Sequence, residues 1–196
     1  SLATFNTYIN GAFSIMSELR TNRIVPRDGL VSGTGIGGGI IQVKSTTITN
    51  YFTNDQETFA DVTGVTVTIT PTRSDSKILV MYNGCAGMEA TNRMGHIRIV
   101  RVINGSTDTD IYIGDQGESN QARASSSVAT VYNYMVSSFS GTFMDSPATT
   151  NAVTYKMQVA AGDQGYTVNI GKEHGNSNEF SRSRVPTSIT VMEVSG

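Results

Sequence analysis

Residues 65–82 read Val-Thr-Val-Thr-Ile-Thr-Pro-Thr-Arg-Ser-Asp-Ser-Lys-Ile-Leu-Val-Met-Tyr. Val65, Val67 and Ile69 alternate with Thr66, Thr68 and Thr70, the two-residue period of a strand that buries one face and wets the other. Arg73-Ser74-Asp75-Ser76 is a polar turn. Beyond it Ile78, Leu79, Val80, Met81 and Tyr82 are apolar on both parities, as in a strand covered by its own core on one side and by another subunit or layer on the other. The stretch predicts two strands of a β body, the second a candidate interface strand.

The same signals continue on both sides. Ile97, Ile99 and Ile103 alternate with Arg98 and Val102, and Asn104-Gly105 is a tight-hairpin signal before Asp110-Ile111-Tyr112-Ile113. Val128 to Ser138 reads as one long strand. Val153, Tyr155, Met157 and Val159 alternate with Thr154, Lys156 and Gln158; Tyr166, Val168 and Ile170 follow, and Ile189 to Val194 closes the pattern. About nine or more strands with turn-rich spacing predict a mainly β protein, an antiparallel sandwich or jelly-roll-like body, over residues 40–196.

The beginning of the chain has a different period. Leu2, Phe5, Ile9, Ala12, Met16 and Leu19, widened by Phe13 and Ile15, recur at three- and four-residue steps, the stripe of an amphipathic helix. A lone helix of that length is marginal in water. It therefore needs a partner, and the sequence predicts an attachment or trimerisation segment over residues 1–30, including a connector marked by Pro26 and Asp28-Gly29. Gly33, Gly35, Gly37, Gly38 and Gly39 then make a joint over residues 31–39.

The 196 residues suffice for one sizeable core, 15% are charged, and the net charge is -2. Neutralising a phosphate backbone requires clustered Lys and Arg. The groups Arg93, His96, Arg98, Arg101 and Arg182, Arg184 are thin, so no nucleic-acid partner is expected. No apolar run approaches the ~20 residues that cross a bilayer, and the opening segment lacks the pattern of a cleaved export signal. The expectation is a soluble chain without membrane insertion. Cys85 is alone and reads as a buried, inert thiol.

Little in the sequence points to catalysis. His96 and His174 are too isolated for a zinc or hydrolytic site, and Ser125, Ser126 and Ser127 lack a nucleophile elbow. Asp108, Asp110, Asp115 and Glu118 crowd one region without calcium-loop spacing, and read as solvated turn residues. The glycines near residue 35 precede a strand, not the helix a phosphate-cradling loop requires. No cofactor or metal is expected. Sugar recognition through polar loops stays open, although Trp is absent and alternation sets most of Tyr112, Tyr132, Tyr134 and Tyr166 on sheet faces or in the core.

Seven stretches, taken in order, carry a family likeness: LRTNRIVPRDGLVS (19–32), GGGIIQV (37–43), ITPTRSDSKILVMYNG (69–84), IYIGD (111–115), FMDSPATT (143–150), TYKMQ (154–158) and SITVMEV (188–194). Their combination resembles small virion structural or tail-fibre proteins of tailed bacteriophages, particularly of marine and cyanobacterial hosts. The resemblance implies a component of the phage particle, commonly a homotrimeric fibre or knob with an N-terminal attachment segment. It implies no catalytic residues. In FMDSPATT, Asp145 or Ser146 is expected to hydrogen-bond the turning backbone.

The sequence thus predicts a non-enzymatic virion protein that pairs with itself and other virion proteins and contributes to host attachment, through a surface glycan or protein. The loops Gly84–Gly95, Asp115–Ser127 and Lys172–Ser183 are the candidate outward contacts, with Met88, Asn92, Gln116, Glu118, Asn120, His174 and Asn176 as candidate receptor-facing residues. The alternatives are a capsid decoration or adaptor protein docking through its N-terminal segment, and a carbohydrate-binding or polysaccharide-degrading module.

Overall fold

The computed structural model describes residues 39–175 and 178–195. The N-terminal helical stripe, the connector, the glycine joint before Gly39, and Asn176 lie outside the described residues. Within them the chain forms eleven strands and no helix: β1 (Ile40–Ile48), β2 (Phe52–Asn54), β3 (Ala60–Ile69), β4 (Lys77–Met88), β5 (Arg93–Ile103), β6 (Thr109–Ile111), β7 (Ser126–Thr130), β8 (Ser137–Asp145), β9 (Val153–Ala161), β10 (Val168–Ile170) and β11 (Thr187–Val194).

All pairings are antiparallel, in two sheets that make a β-sandwich. In the first sheet β4 is the central rail. One edge pairs with β8 along its length, the other with β11 and then β10, and these pair in turn with β1 and β2. In the second sheet β9 lies between β3 and β5, and the far edge of β5 is shared by β7 and β6.

The alternation read from the sequence sets the core. Val65, Val67 and Ile69 of β3, Ile97 and Ile99 of β5, and Val153, Tyr155, Met157 and Val159 of β9 meet Ile78, Val80 and Tyr82 of β4 and Ile189 and Val191 of β11 in one buried cluster. A bulge interrupts the β3 pairing between Asp61 and Thr66, where Gly64 takes φ +84°, so Val62 and Val65 both face inward. Asn104 (φ 50°) and Gly105 (φ 73°) both adopt the left-handed conformation that the tight turn from β5 towards β6 requires.

The two ends of the sandwich differ. At one end lie the Thr70–Ser76 turn and Asp145, and the chain enters there: Ile40 pairs with Val194, which pairs with Lys77. At the other end five connections hydrogen-bond one another. Gly165 N–H donates to Asp55 O at 3.0 Å, Glu89 N–H to Thr167 O at 2.9 Å, Asn92 N–H to Thr130 O at 3.1 Å, and His174 N–H to Asn133 O at 3.2 Å.

One sequence expectation is corrected here. Val128 to Ser138 is not one strand: β7 ends at Thr130, residues 131–136 turn, and β8 begins at Ser137. Met135 N–H donates to Tyr132 O at 3.1 Å, closing a turn with Asn133 inside it, a residue that favours turns because its side chain competes for local backbone groups.

Candidate functional site

The outward face of the second sheet carries a polar network. Lys156 Nζ lies 2.8 Å from Asp61 Oδ2 and 2.9 Å from Asp108 Oδ1. Gln158 Nε2 donates to Asp61 at 2.7 Å and to Asp108 at 2.9 Å, while its Oε1 accepts from Arg98 Nη2 at 2.7 Å. Arg98 also reaches Asp110 at 3.0 Å and stacks over Phe59 at 4.1 Å. Burial works to raise the Asp61 carboxyl, but hydrogen bonds from Lys156 and Gln158 with the nearby cations hold it below its ordinary value. Burial likewise works to lower Lys156, and its two aspartates keep it raised. Asp108 and Asp110 are thus bound to cations; Asp115 and Glu118 stand exposed in the loop that follows β6.

Beside this network is a cleft of about 580 Å³ lined by Glu57, Phe59, His96, Asn120, Gln121 and Gly162. His96 Nδ1 is 3.0 Å from Ser127 Oγ, and burial lowers the imidazole pKa. A serine nucleophile needs its base oriented by a third group; the imidazole makes no second side-chain hydrogen bond among the described residues. Ser125 accepts the Ile99 N–H at 3.0 Å and Ser126 pairs with the Tyr82 hydroxyl at 2.8 Å. No cluster of three or more His, Cys, Asp or Glu that could hold a metal occurs among the described residues.

The candidate receptor-facing residues separate. Asn92, Gln116, Glu118 and Asn120 are exposed, and His174 is half-buried. Met88 is fully buried at the end of β4, against Gly95 and Val168, and is a core residue instead. The structure adds a group that alternation concealed. Tyr132 and Tyr134 stack in parallel with centroids 5.1 Å apart, both about half exposed, and the Arg182 guanidinium lies 5.4 Å from the Tyr134 ring. Lys172 and Arg184, paired by an isolated β-bridge, sit 4.5 and 4.7 Å from the ring of Tyr51. The available signal was Asn133 between the two tyrosines.

On the candidate interface strand, Ile78, Val80 and Tyr82 face the core, whereas Leu79 and Met81 face outward. Register aligns Val43, Met192, Leu79 and Met144 in one row across β1, β11, β4 and β8. Val43 and Met144 are each 51% exposed and Met81, one row on, is 40% exposed. An apolar row on the outside of a sheet is what a covered surface needs.

No family model matches the chain, and no curated protein matches it. Among solved structures it is similar to a chain in the structure of infectious bursal disease virus Gx strain, with 9% identity and a TM-score of 0.38, over 80% of this chain and 37% of that one. The chain therefore spans well under half the length of that neighbour.

Proposed function

We propose that this chain is a structural protein of a tailed-phage particle, a homotrimeric fibre-like component that contributes to host attachment and catalyses no reaction. One observation carries this reading: the chain enters the body at Gly39–Ile40, beside Val194 and Lys77, whereas five connecting loops gather at the opposite end. A body held at one pole and presenting loops at the other suits attachment, since loops carry contact residues on a rigid scaffold. The strand order β1-β11-β4-β8 opposite β3-β9-β5-β6/β7 supports a jelly roll, an architecture used by capsid and sugar-binding domains.

Self-association is supported by the outward row Val43, Met192, Leu79 and Met144. Covering such side chains is worth about 1.5–3 kcal/mol each when complete, and three copies on one stem raise the effective concentration of every head at a host surface. The engagement of Asp108 and Asp110 by Lys156 and Arg98 supports a non-catalytic role for that acidic region. Sedimentation equilibrium of the full chain tests the assembly: a trimer is expected, and Leu79→Lys with Met144→Lys dissociates it. A monomeric wild-type chain at micromolar concentration overturns the trimer.

A further inference from the structure

The cleft of about 580 Å³ on the second sheet opens at the loop end of the sandwich, where Glu57 and Gly162 of its lining flank the bond between Asp55 and Gly165. Its floor is the start of β5: His96 pairs with Ala160 and Ser127, and Gly162 N–H donates to Met94 O at 2.8 Å. One wall is the loop from Asn54 to Phe59. Asn54 Nδ2 donates to Thr58 O at 3.0 Å and to Val159 O at 2.8 Å, and Ala161 N–H donates to Gln56 O at 2.8 Å. The other wall is the loop from Gly114 to Ala124. Arg123 Nε closes its neck by donating to Gly114 O at 3.0 Å, and Tyr112 anchors its base by stacking on Phe143 with centroids 4.5 Å apart. Both walls are set before a ligand arrives, which lowers the ordering cost of binding.

The lining has hydrogen-bonding capacity that the fold does not use. Among the described residues the side chains of Ser119 and Asn120 make no hydrogen bond. Gln121 Oε1 accepts from Glu118 N–H at 3.1 Å and leaves the Nε2 amide over. Glu57 Oε1 accepts from Gln164 N–H at 3.1 Å and leaves a second oxygen, and His96 engages Ser127 through Nδ1 and leaves Nε2. Burial lowers the His96 pKa, so the ring is neutral at pH 7 and offers one donor and one acceptor. Glu57 is the one charged residue of the lining, and Arg98 beside Phe59 is taken up by Gln158 and Asp110.

We infer that this cleft binds a neutral saccharide, whose hydroxyls meet Asn120, Gln121 and Glu57 while its C–H groups pack on the Phe59 wall. This deepens the attachment reading and rests on it. Small-ligand sites are mostly apolar with a few polar groups. This lining reverses the balance and mixes donors with acceptors, which suits hydroxyls that are both. A phosphate or carboxylate ligand would meet the Glu57 charge with no cation in the lining to offset it. A peptide strand would need an unpaired sheet edge, whereas β5 and β9 beneath the cleft are paired on both sides.

Binding to the full chain is to be measured calorimetrically with maltotriose, cellotriose and mannotriose, against trigalacturonate and adenosine monophosphate as anions and triglucosamine as a cation. At least one neutral trisaccharide is expected to bind with a Kd of about 1 mM or below, and both anions about tenfold or more weakly. Ala122→Trp places an indole in the cleft without removing a hydrogen bond, and is expected to abolish binding. Asn120→Ala removes one unshared amide and is expected to weaken binding about three- to tenfold. Both residues are exposed, and circular dichroism verifies that the variants fold. No binding of any neutral trisaccharide, tighter binding of an anion or of triglucosamine, or binding unchanged in both variants overturns the inference. Attachment of labelled full chain to marine bacterial and cyanobacterial cells separates the two levels. Cell binding unchanged in Ala122→Trp removes the cleft as the contact and leaves attachment standing, whereas a wild-type chain that binds no cell removes the attachment reading itself.

Discussion

The hydroxyl of Tyr155 donates to Asp145 Oδ2 at 2.7 Å, and Arg101 Nη1 meets both oxygens of the same carboxylate at 2.7 and 3.0 Å. Tyr155 belongs to TYKMQ and Asp145 to FMDSPATT, so two of the stretches that carry the family likeness hold each other. The expectation that Asp145 caps its own turn gives way to a tie between the sheets, from β8 to β5 and β9. Arg101 and Asp145 side chains are only 18% and 10% exposed. Removing one member of a buried pair strands the other.

Asp145→Ala is therefore expected to cost about 3–5 kcal/mol, because it leaves Arg101 and the Tyr155 hydroxyl unpaired together. Tyr155→Phe removes one hydrogen bond and leaves the ion pair, at about 1–2 kcal/mol. Urea unfolding at neutral pH measures both, and equal losses contradict the shared-carboxylate account.

Glu193 is fully buried on the inward parity of β11 with no cation paired to it among the described residues, its carboxylate accepting from Gln42 Nε2, Thr72 N–H and Thr72 Oγ1, all at 2.7 Å. Burial works to raise its pKa, but these donors bring it below the ordinary value. A carboxyl depressed in the folded state adds stability that is complete above the unfolded value, about 4.3, and fades as pH falls through the folded one. Stability is thus expected to drop below about pH 4.3, and less steeply in Glu193→Gln, which is already weakened by about 1–3 kcal/mol at neutral pH. Denaturation midpoints from pH 7 downward test the slope; identical slopes in the two proteins refute Glu193 as its source.

The strand periods of β3, β4, β5, β9 and β11 were legible because one buried face imposes strict alternation. The buried charges were legible in part. Arg101 and Glu193 share the parity of Ile99 and Val191, a conflict that calls for a polar partner, but the partner lies in another strand, and sequence spacing carries no trace of it. The Tyr132–Tyr134 turn was lost for the opposite reason: Val-Tyr-Asn-Tyr-Met-Val satisfies β propensity locally, and the contact that His174 N–H makes with Asn133 O comes from far along the chain. Phe59 and the loop over the cleft gave no periodic signal at all.

Gly141 faces Tyr82 as its register partner across β8 and β4, and a Cβ there would fall inside the Tyr82 ring's van der Waals envelope. The ring is fixed by its hydroxyl, which bonds Ser126 Oγ at 2.8 Å and Ser125 O at 3.2 Å. Gly141→Ala must displace this hydrogen-bonded ring, at about 1–3 kcal/mol. The double variant with Tyr82→Leu is expected to recover most of that loss, and thermal melts of the three proteins form the cycle. Strict additivity contradicts the clash.

Cys85 lies on β4 at 1% exposure, and burial pushes its thiol above the ordinary pKa. Both effects suppress the thiolate that reacts with electrophiles. The native protein is therefore expected to resist iodoacetamide at neutral pH, with modification proceeding only through unfolded molecules. Gly171 N–H donates to Cys85 O at 2.9 Å, tying this strand to the residue next to the Lys172–Arg184 bridge, so labelling also tells whether that pairing opens by itself. If it does, Cys85 reacts faster than global unfolding allows. If labelling instead rises with urea in step with the loss of β-sheet circular dichroism, that pairing and the central strand open as one unit.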